Sequence, residues 1–283
     1  ETAADFSGTF DVTFNHEKDT TRAVALFNQN GNKVTGTFMT PTGDYRFLEG
    51  SAAGNQLQLS TFDGNHLYLF RGSMQEDGSI AGEFFSGKSW HEQWIAVKNN
   101  EAALPDAESL TYLKEGYDRI SFTFPDVNGK PVSLDDERFD NKVVILQLLG
   151  TWCPNCMDET RFLAPWYDEN KDRGVEIIGL AYERKPDFNY ASGRVKKMAE
   201  KMNVHYELLI AGTDDKKKAA ETLPMLNAVV AFPTTIFIGK DGQVKKIHTG
   251  FNGPGTGKYY EQFREQFNQT VNALLKEDLT ASK

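Results

Sequence analysis

Two hydrophobic rhythms divide the chain. Up to about residue 98, apolar and polar positions alternate with a period of two, as in Phe10-Asp11-Val12-Thr13-Phe14, Gln56-Leu57-Gln58-Leu59 and Leu67-Tyr68-Leu69-Phe70. That alternation is the signature of half-buried strands. Turn signals interrupt it at intervals of roughly ten residues: Asn30-Gly31, Thr42-Gly43-Asp44, Asp63-Gly64-Asn65 and Asp77-Gly78. No helical period competes. About eight strand candidates joined by short turns predict an up-and-down antiparallel barrel or sandwich.

After residue 98 the pattern lapses. Asn99-Asn100, Pro105-Asp106 and Gly116 read as a linker over 99–116, with a short helix expected over 107–113. From Arg119 strands and helices alternate, which is the α/β signature. Asn128-Gly129 separates two short extended runs as in a hairpin. The run Val143 to Leu149 is almost wholly apolar, so it predicts a central strand covered on both faces. A helix follows to about Lys171 and stops at Gly174. Further strands are expected over 175–181 and 206–210, with helices over 190–202 and 214–226. A hairpin over 234–238 and 244–249 turns at Lys240-Asp241-Gly242, and a last helix spans 259–275. The organisation expected is multidomain: an all-β antiparallel domain over 1–98, the linker, and an α/β domain over 117–283.

Composition narrows the function classes. The formal net charge of -9 argues against nucleic-acid binding, which needs a basic face. Lys216-Lys217-Lys218 and Lys245-Lys246 are short and lie near acidic residues, so they read as solvated faces. No apolar run approaches the roughly 20 residues of a membrane-spanning helix. The first residue is Glu1 rather than Met, so the chain is expected to be a processed product whose removed part carried the address. In the β half, His16, His66 and His91 are scattered, and the aromatic residues Phe70, Phe84, Phe85, Trp90 and Trp94 read as core or rim. A ligand-binding barrel mouth is the functional alternative there.

The chemistry concentrates on the two cysteines of the chain, three positions apart in Cys153-Pro154-Asn155-Cys156. Two cysteines do not make a disulfide framework for a chain of 283 residues. They fall where a buried strand turns into a helix. Unpaired N–H groups and the positive end of the helix dipole stabilise a thiolate at that point. Cys153, at the helix start, is therefore the expected nucleophile. Cys156, one turn in, is the expected resolving thiol. Two intervening residues allow a disulfide to close within the turn, and Pro154 is tolerated where its missing N–H has no helical partner. A zinc site would need a second ligand pair, and His205 and His248 are each isolated.

Trp152-Cys153-Pro154-Asn155-Cys156, the buried strand before it and the distant Phe232-Pro233-Thr234-Thr235-Ile236-Phe237-Ile238 resemble the thioredoxin superfamily. Gly150-Thr151-Trp152-Cys153 through Glu159, with the Asn128-Gly129-Lys130 hairpin and Ser133-Leu134, resemble its TlpA/ResA branch over residues 117 to 276. The resemblance implies a thioredoxin-like fold and an extracytoplasmic thiol–disulfide oxidoreductase, usually a reductase. Its only redox group is the disulfide, with no other cofactor. Implied partners are disulfide-containing protein clients and a membrane thiol-delivery protein. The implied location is the bacterial periplasm or cell envelope, with a lipid anchor on the removed N-terminus. The β half resembles extra domains that some members carry.

Further site residues follow from the same resemblance. Trp152 flanks the nucleophile. Pro233 matches a cis-proline lying against the cysteines, which exposes a backbone edge to a substrate peptide. Phe232 before it shapes the groove. Glu159 matches a carboxylate that shuttles the proton of Cys156; helical spacing sets Cys156, Glu159, Leu163 and Trp166 on one face. The competing role for Glu159 is a first-turn complement to the helix dipole. Gln147 departs from the buried aspartate of thioredoxin and cannot carry a proton. Arg161 stands where relatives have a helix-kinking proline, and Pro165 shifts that position one turn on. A peroxidase of the same fold would show Pro-x-x-x-Thr-x-x-Cys, but Leu146 and Gly150 occupy that frame before Cys153, and Leu149 and Cys153 before Cys156. The remaining alternative is a binding or docking protein whose β half captures a ligand or client.

Overall fold

The computed structural model describes residues 3–16 and 19–277; the side chain of His16 and residue Glu1 lie outside the described set. The chain forms two compact units, Glu1–Pro105 with Asn252–Glu261, and Asp106–Phe251 with Gln262–Lys283.

In the first unit the strands are β1 (Gly8–His16), β2 (Asp19–Asn30), β3 (Lys33–Thr40), β4 (Gly43–Asp44), β5 (Leu48–Ala53), β6 (Gln56–Phe62), β7 (Leu67–Met74), β8 (Ile80–Ser86) and β9 (Trp90–Lys98). Each long strand pairs antiparallel with its neighbour, and β9 returns to β1, with Phe14 opposite Trp94. Eight strands thus close a barrel, with β4 as a two-residue addition on β3. Closure settles the choice between barrel and sandwich and leaves no open edge. The alternation read from the sequence becomes in and out: Phe10, Val12, Phe14, Phe38, Leu57, Leu59, Phe70 and Phe84 are buried. Phe38 stacks on Phe70 and Phe70 on Phe84, each at 4.4 Å between ring centres. Gly72 and Gly82 make room for Trp94; a Cβ on Gly82 would lie 2.4 Å from its ring.

In the second unit β10 (Thr123–Pro125) and β11 (Pro131–Ser133) form the expected hairpin. A five-stranded sheet follows, from β12 (Val143–Leu149), β13 (Val175–Glu183), β14 (Glu207–Thr213), β15 (Thr234–Ile238) and β16 (Val244–Thr249). Its order is β14-β13-β12-β15-β16, with β12, β13 and β14 parallel and β15 and β16 antiparallel. Every residue of β12 is buried, as its apolar run requires. The helices are α1 (Pro154–Asn170), α2 (Phe188–Met202), α3 (Lys216–Thr222) and α4 (Lys258–Lys276). Phe162 and Trp166 of α1 meet Phe267 of α4 edge to face at 5.1 and 5.0 Å.

The helix expected over 107–113 does not form; that segment is turns. Asp106 accepts the N–H of Glu108 on its side chain and that of Ser109 on its carbonyl, a turn that competes with helix nucleation. Leu113 is instead held extended in a bridge to Leu226. α3 is also shorter than its apolar pattern suggests, because Pro224 follows within two residues of its end. No helix of the described residues is long and apolar enough to cross a membrane.

Candidate active site around Cys153 and Cys156

Strand β12 ends at Leu149, and the chain must turn sharply before α1 begins. Gly150 permits this. Trp152 folds back over it, and a Cβ at Gly150 would lie 2.3 Å from the indole nitrogen. The indole N–H donates to the carbonyl of Tyr182 at 2.9 Å. The Trp152 ring meets Phe232 edge to face at 5.9 Å, and Phe232 in turn packs on Tyr182 at 5.3 Å. Three aromatic side chains therefore wall one side of the turn.

Cys153 caps α1 in extended backbone conformation, and Pro154 occupies the first helical position. Cys153 and Cys156 are joined in a disulfide with their Cα atoms 5.3 Å apart. The backbone N–H of Cys156 donates to Cys153 Sγ at 3.2 Å. That N–H is one of the otherwise unpaired donors of a helix start, so it favours negative charge on this sulfur. Cys156 is fully buried, whereas Cys153 retains 5% exposure. Cys153 Sγ also lies 3.4 Å from the carbonyl oxygen of Phe232. The Phe232–Pro233 peptide bond is cis, the geometry the resemblance implied. Phe232 and Pro233 are thereby placed directly against the disulfide.

Behind the disulfide lies a buried polar network. In the antiparallel pairing of β12 with β15, Gln147 stands opposite Thr235. Glu159, one turn beyond Cys156, enters between them and is fully buried. The Thr235 hydroxyl donates to one carboxylate oxygen at 2.6 Å, and the Gln147 amide donates to the other at 2.8 Å. The Gln147 carbonyl oxygen accepts from the Tyr206 hydroxyl at 3.1 Å. The Thr160 hydroxyl lies 3.2 Å from the same amide nitrogen and donates back to the Cys156 carbonyl at 2.8 Å. Burial pushes the Glu159 carboxyl up to about 7, against the two hydrogen bonds that favour its ionised form.

A second buried carboxylate anchors the turn from the other side. Glu183, at the end of β13, accepts the N–H of Thr151 at 2.7 Å and its hydroxyl at 2.9 Å. Burial raises its carboxyl above the usual range, partly offset by these bonds and by Arg194. Arg194 of α2 also reaches the Thr151 hydroxyl at 3.4 Å.

Sequence reasoning named Cys153, Cys156, Trp152, Glu159, Phe232 and Pro233, and all six converge here. It missed Thr235, Thr160, Tyr206, Glu183 and Arg194. One signal was available: polar residues inside two apolar strands, Gln147 in β12 and Thr235 in β15, need partners when buried. His205 pairs with the Asp168 carboxylate at 2.9 Å, and the half-buried His248 packs on Phe263. Neither belongs to the site. Among the described residues, no three His, Cys, Asp or Glu side chains are grouped to hold a metal ion.

The AhpC/TSA family model matches residues 116–247, just under half of the chain. The thiol–disulfide oxidoreductase ResA of Bacillus thuringiensis subsp. konkukian is 30% identical over 159 residues, covering 56% of this chain and 78% of that protein. ResA of Bacillus subtilis is 28% identical over 138 residues, covering 49% and 69%. Among solved structures, a thiol:disulfide interchange protein of the thioredoxin family from Chlorobium tepidum is 20% identical, with a TM-score of 0.44 over 57% of this chain and 98% of that one. A strand–turn–helix CxxC disulfide in a thioredoxin-like sheet, on a chain covering more than two thirds of a 30% identical relative, carries one conclusion: the protein belongs to the ResA-type thiol–disulfide oxidoreductases of the thioredoxin superfamily.

Proposed function

We propose that the chain is a reductase of disulfide-containing proteins in which Cys153 attacks and Cys156 resolves. The observation that carries this reading is the asymmetry of the two sulfurs. Cys153 sits at the helix start, accepts a backbone N–H and keeps an exposed edge, whereas Cys156 is sealed beneath it. In the reduced protein the Cys153 thiolate attacks one client sulfur. The client S–S bond breaks, a mixed disulfide forms, and the first client thiolate leaves and takes up a proton. Cys156 then loses its proton and attacks Cys153 Sγ, which frees the second client thiol and closes the Cys153–Cys156 disulfide. Two electrons and two protons pass to the client.

Glu159 takes the proton of Cys156. Its carboxyl titrates near neutrality, so it can accept and release a proton at working pH. Trp152 and Phe232 border the exposed edge of Cys153, and Pro233 presents the backbone beside it to an extended client segment. A dithiol donor must re-reduce the pair; a membrane thiol-delivery protein meets that need. An extracytoplasmic location follows from the same reading, in the periplasm or cell envelope. Residues 117–283 carry the chemistry. The barrel core is filled by aromatic rings, so a docking role for residues 1–98 falls to the outer surface, where Phe47, Phe62 and Leu67 stand exposed.

The AhpC/TSA match does not favour peroxidase chemistry, because neither cysteine has the Pro and Thr of the peroxidatic frame. Asn155 places no cation between the cysteines, so extreme thiolate stabilisation is not expected. The test is the reduction potential of the pair, measured by equilibration against a thiol buffer. A value near the roughly -270 mV of thioredoxin supports a reductase; one near about -120 mV makes the protein an oxidant.

A further inference from the structure

A cleft of about 470 Å³ opens between α1 and α2. Thr151 and Met157, which line it, bracket the CxxC segment in sequence. Its volume falls within the range of about 300–1,000 Å³ typical of ligand sites. Met157, Met198 and Met202 supply its apolar lining. Arg161, Arg194, Lys197 and Lys201 supply its charge, and among the described residues none that lines it is acidic. This runs against the balance of the chain, whose net charge is -9.

The four cations are not equivalent. Arg161 is paired with Asp158 at 2.6 Å, and Arg194 is committed to Thr151. Lys197 and Lys201 are exposed and have no hydrogen bond or ion pair among the described residues. They stand one helical turn apart, each preceding a methionine of the lining, so α2 presents charge and apolar surface as one strip. Thioether side chains are flexible and polarizable, which suits partners of variable shape. Clustered positive charge in a concave, partly apolar wall attracts anions more strongly than the same charges spread on a convex face.

We propose that this cleft binds an acidic segment of the client polypeptide, with an apolar side chain of that segment seated on the methionines and its carboxylates on Lys197 and Lys201. The inference rests on the exchange reaction proposed above and names its client chemistry. An acidic flank held here delivers the neighbouring client sulfur to Cys153, because Thr151 and Met157 of the lining adjoin the Cys153–Cys156 segment in the chain.

Binding and chemistry can be read separately. For binding, the probes are fluorescent peptides of equal length with serine in place of cysteine and flanks of Glu and Leu, Gln and Leu, or Glu and Ser, titrated against the oxidised full chain. The Glu–Leu peptide should bind about tenfold more tightly than the Gln–Leu peptide at low salt, the difference vanishing near 1 M salt. The Glu–Ser peptide should bind several-fold more weakly than Glu–Leu. K197Q/K201Q should bring the Glu–Leu and Gln–Leu affinities within about twofold. K217Q/K218Q, the same charge loss on α3, should preserve the tenfold difference. Equal affinities in the native chain, a difference that survives K197Q/K201Q, or one lost equally in K217Q/K218Q would each overturn the site. Indifference to the leucines would reduce it to surface charge and also overturn it. Reduction of uncharged hydroxyethyl disulfide by the pre-reduced chain tests the exchange reaction alone. Its absence, with peptide selectivity intact, would sink the reductase reading and leave the binding site standing.

Discussion

Replacing Glu159 with glutamine removes the carboxyl group from the polar network behind the disulfide. In the folded protein its carboxyl titrates at about 7, against a reference of 4.5, and burial is the main cause. Between those values the native state holds a proton that the unfolded chain has released, so stability must fall as pH rises. Below pH 4.5 both states are protonated and the contribution is whole; above pH 7 the loss is complete. A difference of 2.5 pH units at 1.36 kcal/mol each amounts to about 3 kcal/mol. Glutamine can occupy the site if its carbonyl oxygen faces the Gln147 amide and its own amide donates to the Thr235 hydroxyl, which then accepts. Urea unfolding of the oxidised native and E159Q proteins from pH 4.5 to 8.5 isolates the effect, because other titrating groups cancel in the difference. E159Q should gain about 3 kcal/mol relative to the native protein across that range. A difference that stays flat within about 1 kcal/mol would refute the buried, proton-holding carboxylate. In the reduced protein, E159Q should also slow resolution of the mixed disulfide by roughly a hundredfold at pH 7, the lower end of general-base effects.

Two glycine substitutions test the packing around which each unit is built. Gly150→Ala places a Cβ 2.3 Å from the Trp152 indole nitrogen. It should shift the ring off the Tyr182 carbonyl, alter tryptophan fluorescence, cost about 1–3 kcal/mol in urea unfolding and slow exchange at Cys153. Gly82→Ala drives a Cβ to 2.2 Å from the Arg71 carbonyl oxygen and 2.4 Å from Trp94. Neither backbone nor buried indole can yield cheaply, so a loss of about 3 kcal/mol or more is expected; an unchanged unfolding midpoint would contradict the close approach.

Periodicity carried most of the fold. The bounds of β12, β15 and β16 follow from apolar runs and from the Lys240-Asp241-Gly242 turn. The barrel follows from strict alternation, yet alternation does not distinguish a barrel from a sandwich. That choice rests on the pairing of β9 with β1, about eighty residues apart in sequence, which no local pattern encodes. The helix expected over 107–113 failed because Asp106 closes a turn there, a side-chain preference that outweighs weak helical spacing. Within the site, the residues held by a contiguous motif were legible: Trp152, Cys153 and Cys156. Glu159 was legible as a residue but not in its state, because its burial depends on Thr235, 76 positions away. Glu183 gave no signal at all. Its role emerges only when β13 ends beside Thr151, 32 residues upstream.

The central claim is that Cys153 is the attacking sulfur of a disulfide exchange and Cys156 the resolving one. Cys156→Ser should stall the reaction after its first half. Incubated with a protein disulfide client, reduced C156S should accumulate a covalent adduct that mass spectrometry places on Cys153 and that dithiothreitol reverses. C153S, treated the same way, should accumulate none. Failure of C156S to trap any client, or an adduct carried by Cys156 in C153S, would contradict the account.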